Sequence, residues 1–112
     1  MKTNDKTISI IELASQSNAY YHRALSLYKE GKQDQAEACI EAGNEHLLKA
    51  SKIHLDLLSE DISLSLLLVH AEDQLISIQL YKSLMYEIRD VYKHFPPKEE
   101  NELTSRNKHG LI

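Results

Sequence analysis

Ser65-Leu66-Leu67-Leu68-Val69-His70-Ala71-Glu72-Asp73-Gln74-Leu75-Ile76 sits in a run, Ile62 to Phe95, without glycine or proline before Pro96-Pro97. Most of its residues are good helix formers. Ser63 or Ser65 is placed to cap its start, and the two prolines force its end. The run predicts a helix over 62–95, roughly 30 residues and about 45 Å long. Leu64, Leu66, Leu67, Leu68 and Val69 fall on every side of that helix, and a helix apolar all round must be covered all round. Two further helices of one chain cover only part of it, so the pattern calls for another subunit. Into this apolar setting the chain places one imidazole, His70, and one carboxylate, Asp73. Both are costly there without partners.

The rest of the chain supplies two more helices. The first is expected over about 7–30, with Ser9 and Glu12 spaced as a capping box and with Ile8, Ile11, Ala14, Ala19, Leu25 and Tyr28 as its apolar stripe. Met1 to Lys6 is polar and expected to fray. Gly31 stands where a left-handed helix cap wants glycine. After the turn Lys32-Gln33-Asp34, with Asp34 as the cap, the second helix is expected over about 35–58. Its stripe is Ala36, Cys39, Ile40, Gly43, Leu47, Ala50, Ile53, His54 and Leu57. No segment alternates apolar and polar residues for long, so no strand is expected. The fold class is therefore all-α: an antiparallel up-down-up bundle of three helices in a single domain, 1–112. Helices this long, with this much apolar surface on the third, favour a homo-oligomer closed by cyclic symmetry. The charged tail, 98–112, is expected to be flexible.

Composition narrows the function. The 112 residues carry a net charge of −4, with 27% charged residues, which argues against a nucleic-acid partner. Cys39 is the only cysteine, so no intrachain disulfide and no zinc cluster is expected, and a reducing cytoplasm is the natural setting. No signal peptide is visible, and the longest unbroken apolar run, Leu66 to Val69, is far short of a membrane span. No Glu-x-x-His pair suggests a di-iron bundle, no glycine-rich loop suggests nucleotide phosphate, and no serine has a triad pattern around it.

His70 and Asp73 are three residues apart, so on a helix they point about 60° from each other. Asp73 falls in line with Leu66 and Leu80, one heptad to either side. Were that stripe to face a symmetry axis, the carboxylates would meet there and His70 would lie near the groove between subunits. By residue type alone, His70 is a core histidine bonded to a carbonyl and Asp73 a solvated carboxylate. The remaining histidines are surface or half-buried, and Cys39 is a core thiol.

The segment Leu66 to Ile76 resembles the signature of the lactose/cellobiose-type enzyme IIA of the bacterial sugar phosphotransferase system. There, leucines and a valine precede His-Ala-Gln-Asp-His-Leu-Met. The likeness spans about Ser9 to Phe95. It takes in the turn Gly31 to Ala36, against Gly-Asp-Phe-Glu-Glu-Ala, and Ala50-Ser51-Lys52-Ile53-His54, against Ala-His-Lys-Ile-Gln. The resemblance implies a three-helix bundle assembled as a homotrimer. It implies that His70 accepts a phosphoryl group from HPr and passes it to a cysteine of enzyme IIB. It implies that Asp73 lies at the trimer axis and binds magnesium. It implies that the sugar, a β-linked disaccharide, crosses the membrane through a separate IIC component without touching this chain. Glu72 stands in place of the usual glutamine and Gln74 in place of the second histidine. Ser15 stands where a helix 1 glycine is common, and Ser59-Glu60-Asp61 is a shorter connection. Glu72 is expected to add charge beside His70.

The chemistry agrees with that resemblance. A phosphoryl relay needs a side chain that is nucleophilic near neutral pH and then a good leaving group, which imidazole provides. A second resemblance leads elsewhere. Tyr28 to Ala36 is similar to the turn of a tetratricopeptide repeat, a non-catalytic interaction module. Such a repeat needs copies 34 residues apart, and 34 residues on lies the apolar Ser65 to Val69 run, without a matching turn.

Overall fold

The computed structural model describes residues 3–60 and 65–95. Three helices account for nearly all of them: α1 (Thr3–Lys29), α2 (Gln33–Leu58) and α3 (Leu66–His94). The described residues contain no strand. The expected tail over 98–112, the proposed cap Ser63 and the start of the third helix at Ile62 lie outside the described residues.

Local chemistry sets the helix ends. Gly31, at φ 78°, closes α1. Its N–H donates to the Tyr28 carbonyl, and the N–H of Lys32 donates to Leu27, the paired bonds of a Schellman cap. Ser65 caps α3 by accepting from the Leu68 N–H at 3.1 Å. Two other expected caps do not form. The helix already runs through Ser9 and Glu12, because it begins at Thr3. The second helix is preceded by Lys32, which makes no side-chain cap, and Asp34 lies inside its first turn. The expected fraying of residues before Thr7 is also corrected for Thr3 to Lys6. Lys6 bridges to Asp56 at 3.1 Å and hydrogen-bonds Glu60, tying the start of α1 to the end of α2.

These contacts fix direction. The start of α1 meets the end of α2, so the pair is antiparallel. Tyr21 stacks on Tyr81 and Tyr28 on Tyr92, so α3 runs parallel to α1. At the opposite end, Glu37 of α2 reaches Lys93 of α3 at 3.0 Å and Arg89 at 3.5 Å. The path is up, down, up.

The buried face of α1 is Thr7, Ile10, Ala14, Ser17, Tyr21, Ala24 and Tyr28, a step of three or four residues throughout. It differs from the apolar stripe of the sequence: Ile8 and Ala19 are exposed. Among the polar residues of this face, Ser17 and Tyr21 take buried places with partners on α2. Ser17 donates to the Gly43 carbonyl at 2.9 Å. The Tyr21 hydroxyl donates to Asn44, which in turn donates to the Tyr86 hydroxyl. One residue from each helix thus meets at one polar node. The α2 stripe matches expectation more closely, with Ala36, Ile40, Gly43, Leu47, Ala50 and Leu57 buried. Cys39, expected in the core, is only half-buried against its edge.

Gly43 is where α1 and α2 come closest. A Cβ there would stand 2.6 Å from the Tyr21 ring carbon Cε1. Alanine for glycine in a helix ordinarily stabilises by about 0.5–1 kcal/mol. Here the sign should reverse, with Gly43→Ala costing about 1–3 kcal/mol from overpacking. Urea denaturation of both proteins checks this.

Burial alone would raise the Glu37 carboxyl, but the Tyr28 hydroxyl, Lys93 and Arg89 together hold it below the ordinary value. Stability from such a group is present above the unfolded pKa and lost as pH falls through the lower folded one. Glu37→Gln should therefore be less stable than wild type at neutral pH and approach it by about pH 3. Denaturation midpoints of the two proteins across that range test the sign.

Candidate functional site

The circumference of α3 divides into three sectors. Leu68, Ala71, Leu75, Ile78 and Met85 are buried. Leu66, Val69, Ile76, Leu80, Leu84, Ile88 and Val91 are exposed. At 100° per residue, all seven point within about 60° of Asp73. Asp73 is itself exposed, at the centre of that stripe, and forms no hydrogen bond or ion pair with the described residues. The third sector looks along α1, and His70 stands where it meets the apolar stripe.

His70 is exposed. Core burial, favoured by residue type alone, is thereby corrected: the buried positions beside it are Leu68 and Ala71, on the far side of the helix. It opens into a groove of about 430 Å³ between α1 and α3. Ala14 and Ile78 form its apolar floor. Ser15 and Asn18 of α1 face Gln74, Ser77 and Tyr81 of α3 across it, and Asp73 borders it. His70, Gln74, Ser77 and Tyr81 share one helix face through steps of three and four. That spacing was available from the sequence. The α1 side of the groove was not, since a serine and an asparagine on a helix carry no sign of what they face.

Glu72 does not stand beside His70. Two residues apart on a helix, they point about 160° from each other, and Glu72 turns toward α2. Its Oε2 lies 3.9 Å from the Nε2 of His54. The expected added charge beside His70 is thus corrected: the helix turns that carboxylate onto another element. Two of the positions where the chain departs from the family pattern, Ser15 and Gln74, open on the groove, while Glu72 and His54 meet away from it.

Other candidate groups lie apart. The His22 ring packs on Tyr81, 5.6 Å between centroids, at the far end of the groove. The Nδ1 of His46 donates to the Ala42 carbonyl, and that of His94 to Asp90, both within their own helix. No group of three or more histidine, cysteine, aspartate or glutamate side chains able to hold a metal occurs among the described residues. Asp73 is a hard oxygen donor of the kind magnesium takes. With one carboxylate per chain, several copies would have to share such an ion.

A model of the family "PTS system, Lactose/Cellobiose specific IIA subunit" matches residues 5–93. An oligo-beta-mannoside-specific EIIA component of Bacillus subtilis is 38% identical over 76 residues, covering 63% of this chain and 69% of that protein. Lactose-specific EIIA components of Staphylococcus epidermidis and Streptococcus mutans are 32% and 30% identical over 89 residues, covering 75% of this chain and 86% of each. No solved structure matches the chain.

The His54–Glu72 contact is long and partly exposed, so its contribution should be small. A double-mutant cycle with His54→Gln and Glu72→Gln is expected to give a coupling below about 1 kcal/mol. A coupling well above that would place the two side chains closer in solution.

Proposed function

The chain belongs to the lactose/cellobiose-specific IIA family of the sugar phosphotransferase system, and from that membership we propose that His70 is its phosphoryl-carrying residue. The observation that carries this assignment is the placement of His70, exposed at the head of the α1–α3 groove within the Leu66–Ile76 segment. A nucleophile that must meet two protein partners in turn has to be reachable, and one on a rigid helix is held in place for both.

In the forward step, a ring nitrogen of His70 attacks the phosphorus carried by HPr with its lone pair. The bond from phosphorus to the donor atom breaks, and its electron pair stays on the donor. In the second step, a thiolate of enzyme IIB attacks the same phosphorus. The nitrogen–phosphorus bond breaks, its electrons return to the imidazole, and the ring is ready for another cycle. No oxidation occurs, and the protein's task is positioning and charge stabilisation. Cys39 takes no part: it lies on α2, half-buried against the core edge. The sugar is a β-linked disaccharide handled by other components, so this chain is expected to bind none. No described helix is long and apolar enough to cross a membrane, which suits a carrier working in the cytoplasm.

The exposed stripe of α3 supports a homotrimer. Seven apolar side chains over the helix length leave a face that a single chain does not cover, and cyclic association buries it. Asp73 at the centre of the stripe would then bring one carboxylate from each copy to the axis. Magnesium held there would supply the countercharge that neighbouring carboxylates need.

Incubation with enzyme I, HPr and phosphoenolpyruvate should label the wild-type protein at a single site, acid-labile and alkali-stable. His70→Ala should fold and take up no label. Label persisting in that variant overturns the assignment.

Sedimentation should find wild type as a trimer that loosens when magnesium is chelated. Asp73→Leu should form a metal-independent trimer of equal or greater stability, since an apolar side chain replaces a buried charge. A wild-type monomer under all conditions would rule out the axial arrangement.

A further inference from the structure

The groove beside His70 is unusual for a place where a phosphoryl group is to rest. None of the residues that line it is a lysine or arginine, and its one formal charge is the Asp73 carboxylate. Phosphoryl oxygens carry negative charge and need donors. The donors present are neutral: the hydroxyls of Ser15 and Ser77 and the carboxamides of Asn18 and Gln74, two from each wall. Gln74 is the telling one. It sits one turn along from His70 on the same face. Its carboxamide oxygen, an acceptor, is turned inward and buried without a hydrogen-bond partner, while its amide nitrogen is not so buried, so the end left open to a ligand is the donor. Neither Gln74 nor Asn18 is held by an ion pair or hydrogen bond from the described residues, so both amides are free to turn to a ligand.

We propose that the α1–α3 groove is a neutral phosphoryl cradle, in which the amides of Gln74 and Asn18, with the Ser15 and Ser77 hydroxyls, donate to the oxygens of the phosphoryl group on His70. This rests on the assignment of His70 as the carrier and adds which side chains hold the group. The cradle forms no covalent bond. As the bond from the donor to phosphorus breaks and the bond to the His70 nitrogen forms, three oxygens swing toward Gln74 and Asn18 and receive N–H bonds in place of water. Neutral donors meet negative oxygens less strongly than a cation does. The phosphoryl group is therefore positioned without being trapped. Such a group is passed on readily.

The test follows label onto and off His70 in the full chain, using purified enzyme I, HPr and phosphoenolpyruvate, with helicity and melting checked for each variant. Gln74→Met keeps the length and helix propensity of the side chain and removes its donor. It should slow labelling of His70 about tenfold, the loss of one hydrogen bond to a charged group. Asn18→Leu should do the same from the other wall. Gln74→His, which returns an N–H donor to the same position, should restore rapid labelling. A merely structural Gln74 would show no slowing in a folded Gln74→Met and no such rescue. Labelling of folded Gln74→Met and Asn18→Leu within twofold of wild type overturns the cradle while leaving His70 as carrier. Absence of label from wild type overturns the carrier assignment itself.

Discussion

The three helices are held in register by one polar node. Tyr21 of α1 donates to Asn44 of α2, and Asn44 donates to Tyr86 of α3. Apolar helices can slide past one another by a turn at little cost in buried area, because one leucine replaces another. The hydroxyl of Tyr21, a residue buried completely, cannot slide as freely, since leaving it unpaired costs more than the bond itself contributes. The node is reinforced by the approach of α1 to Gly43, where the Ser17 hydroxyl reaches a backbone carbonyl and no side chain would fit. What lies within about two turns on α1, and about three to four turns along α3, inherits this register. His70 faces Ser15 and Asn18 because Tyr81 is stacked on Tyr21 and Tyr86 is tied to Asn44.

The position of α3 then decides what the molecule can do. It rests mainly on α1 and touches α2 only sparingly, so it neither closes a full bundle nor stands free. One sector is buried, one opens on the groove and one is left bare. The bare sector is apolar from Leu66 at 87% exposure to Val91 at 58%, interrupted at its centre by Asp73. His70 lies on the border between bare sector and groove. That border suits the role proposed for His70: next to apolar surface on a rigid helix, and open enough to be met from outside.

The segment from Leu66 to Ile76 was legible because its chemistry is local. An imidazole and a carboxylate three apart in an apolar helix mark themselves out, and the heptad spacing of Leu66, Asp73 and Leu80 puts all three on one exposed line. The α1 face was misjudged for a converse reason. Ser17 and Tyr21 are polar by type, so a search for apolar stripes passes over them. Each is buried because its partner comes from α2, more than 20 residues along the chain. The environment of Glu72 was misjudged in the same way. Next to His70 in spirit and two residues from it in sequence, it turns to the opposite side of the helix and meets His54.

By itself, then, the sequence determined the number of helices, the turn at Gly31, the cap at Ser65, the end before Pro96 and the pairing of His70 with Asp73 on one helix. These follow from backbone propensity, capping and helical spacing, which act over a few residues. Only the tertiary structure decided that Ser15 and Asn18 stand across from His70, that Glu72 does not, and that the apolar line through Asp73 is left uncovered by α1 and α2. Those facts depend on which helix faces align when three of them pack. That alignment is set by the polar node and the close contact at Gly43, whose partners are distant in the chain and carry no mark of one another.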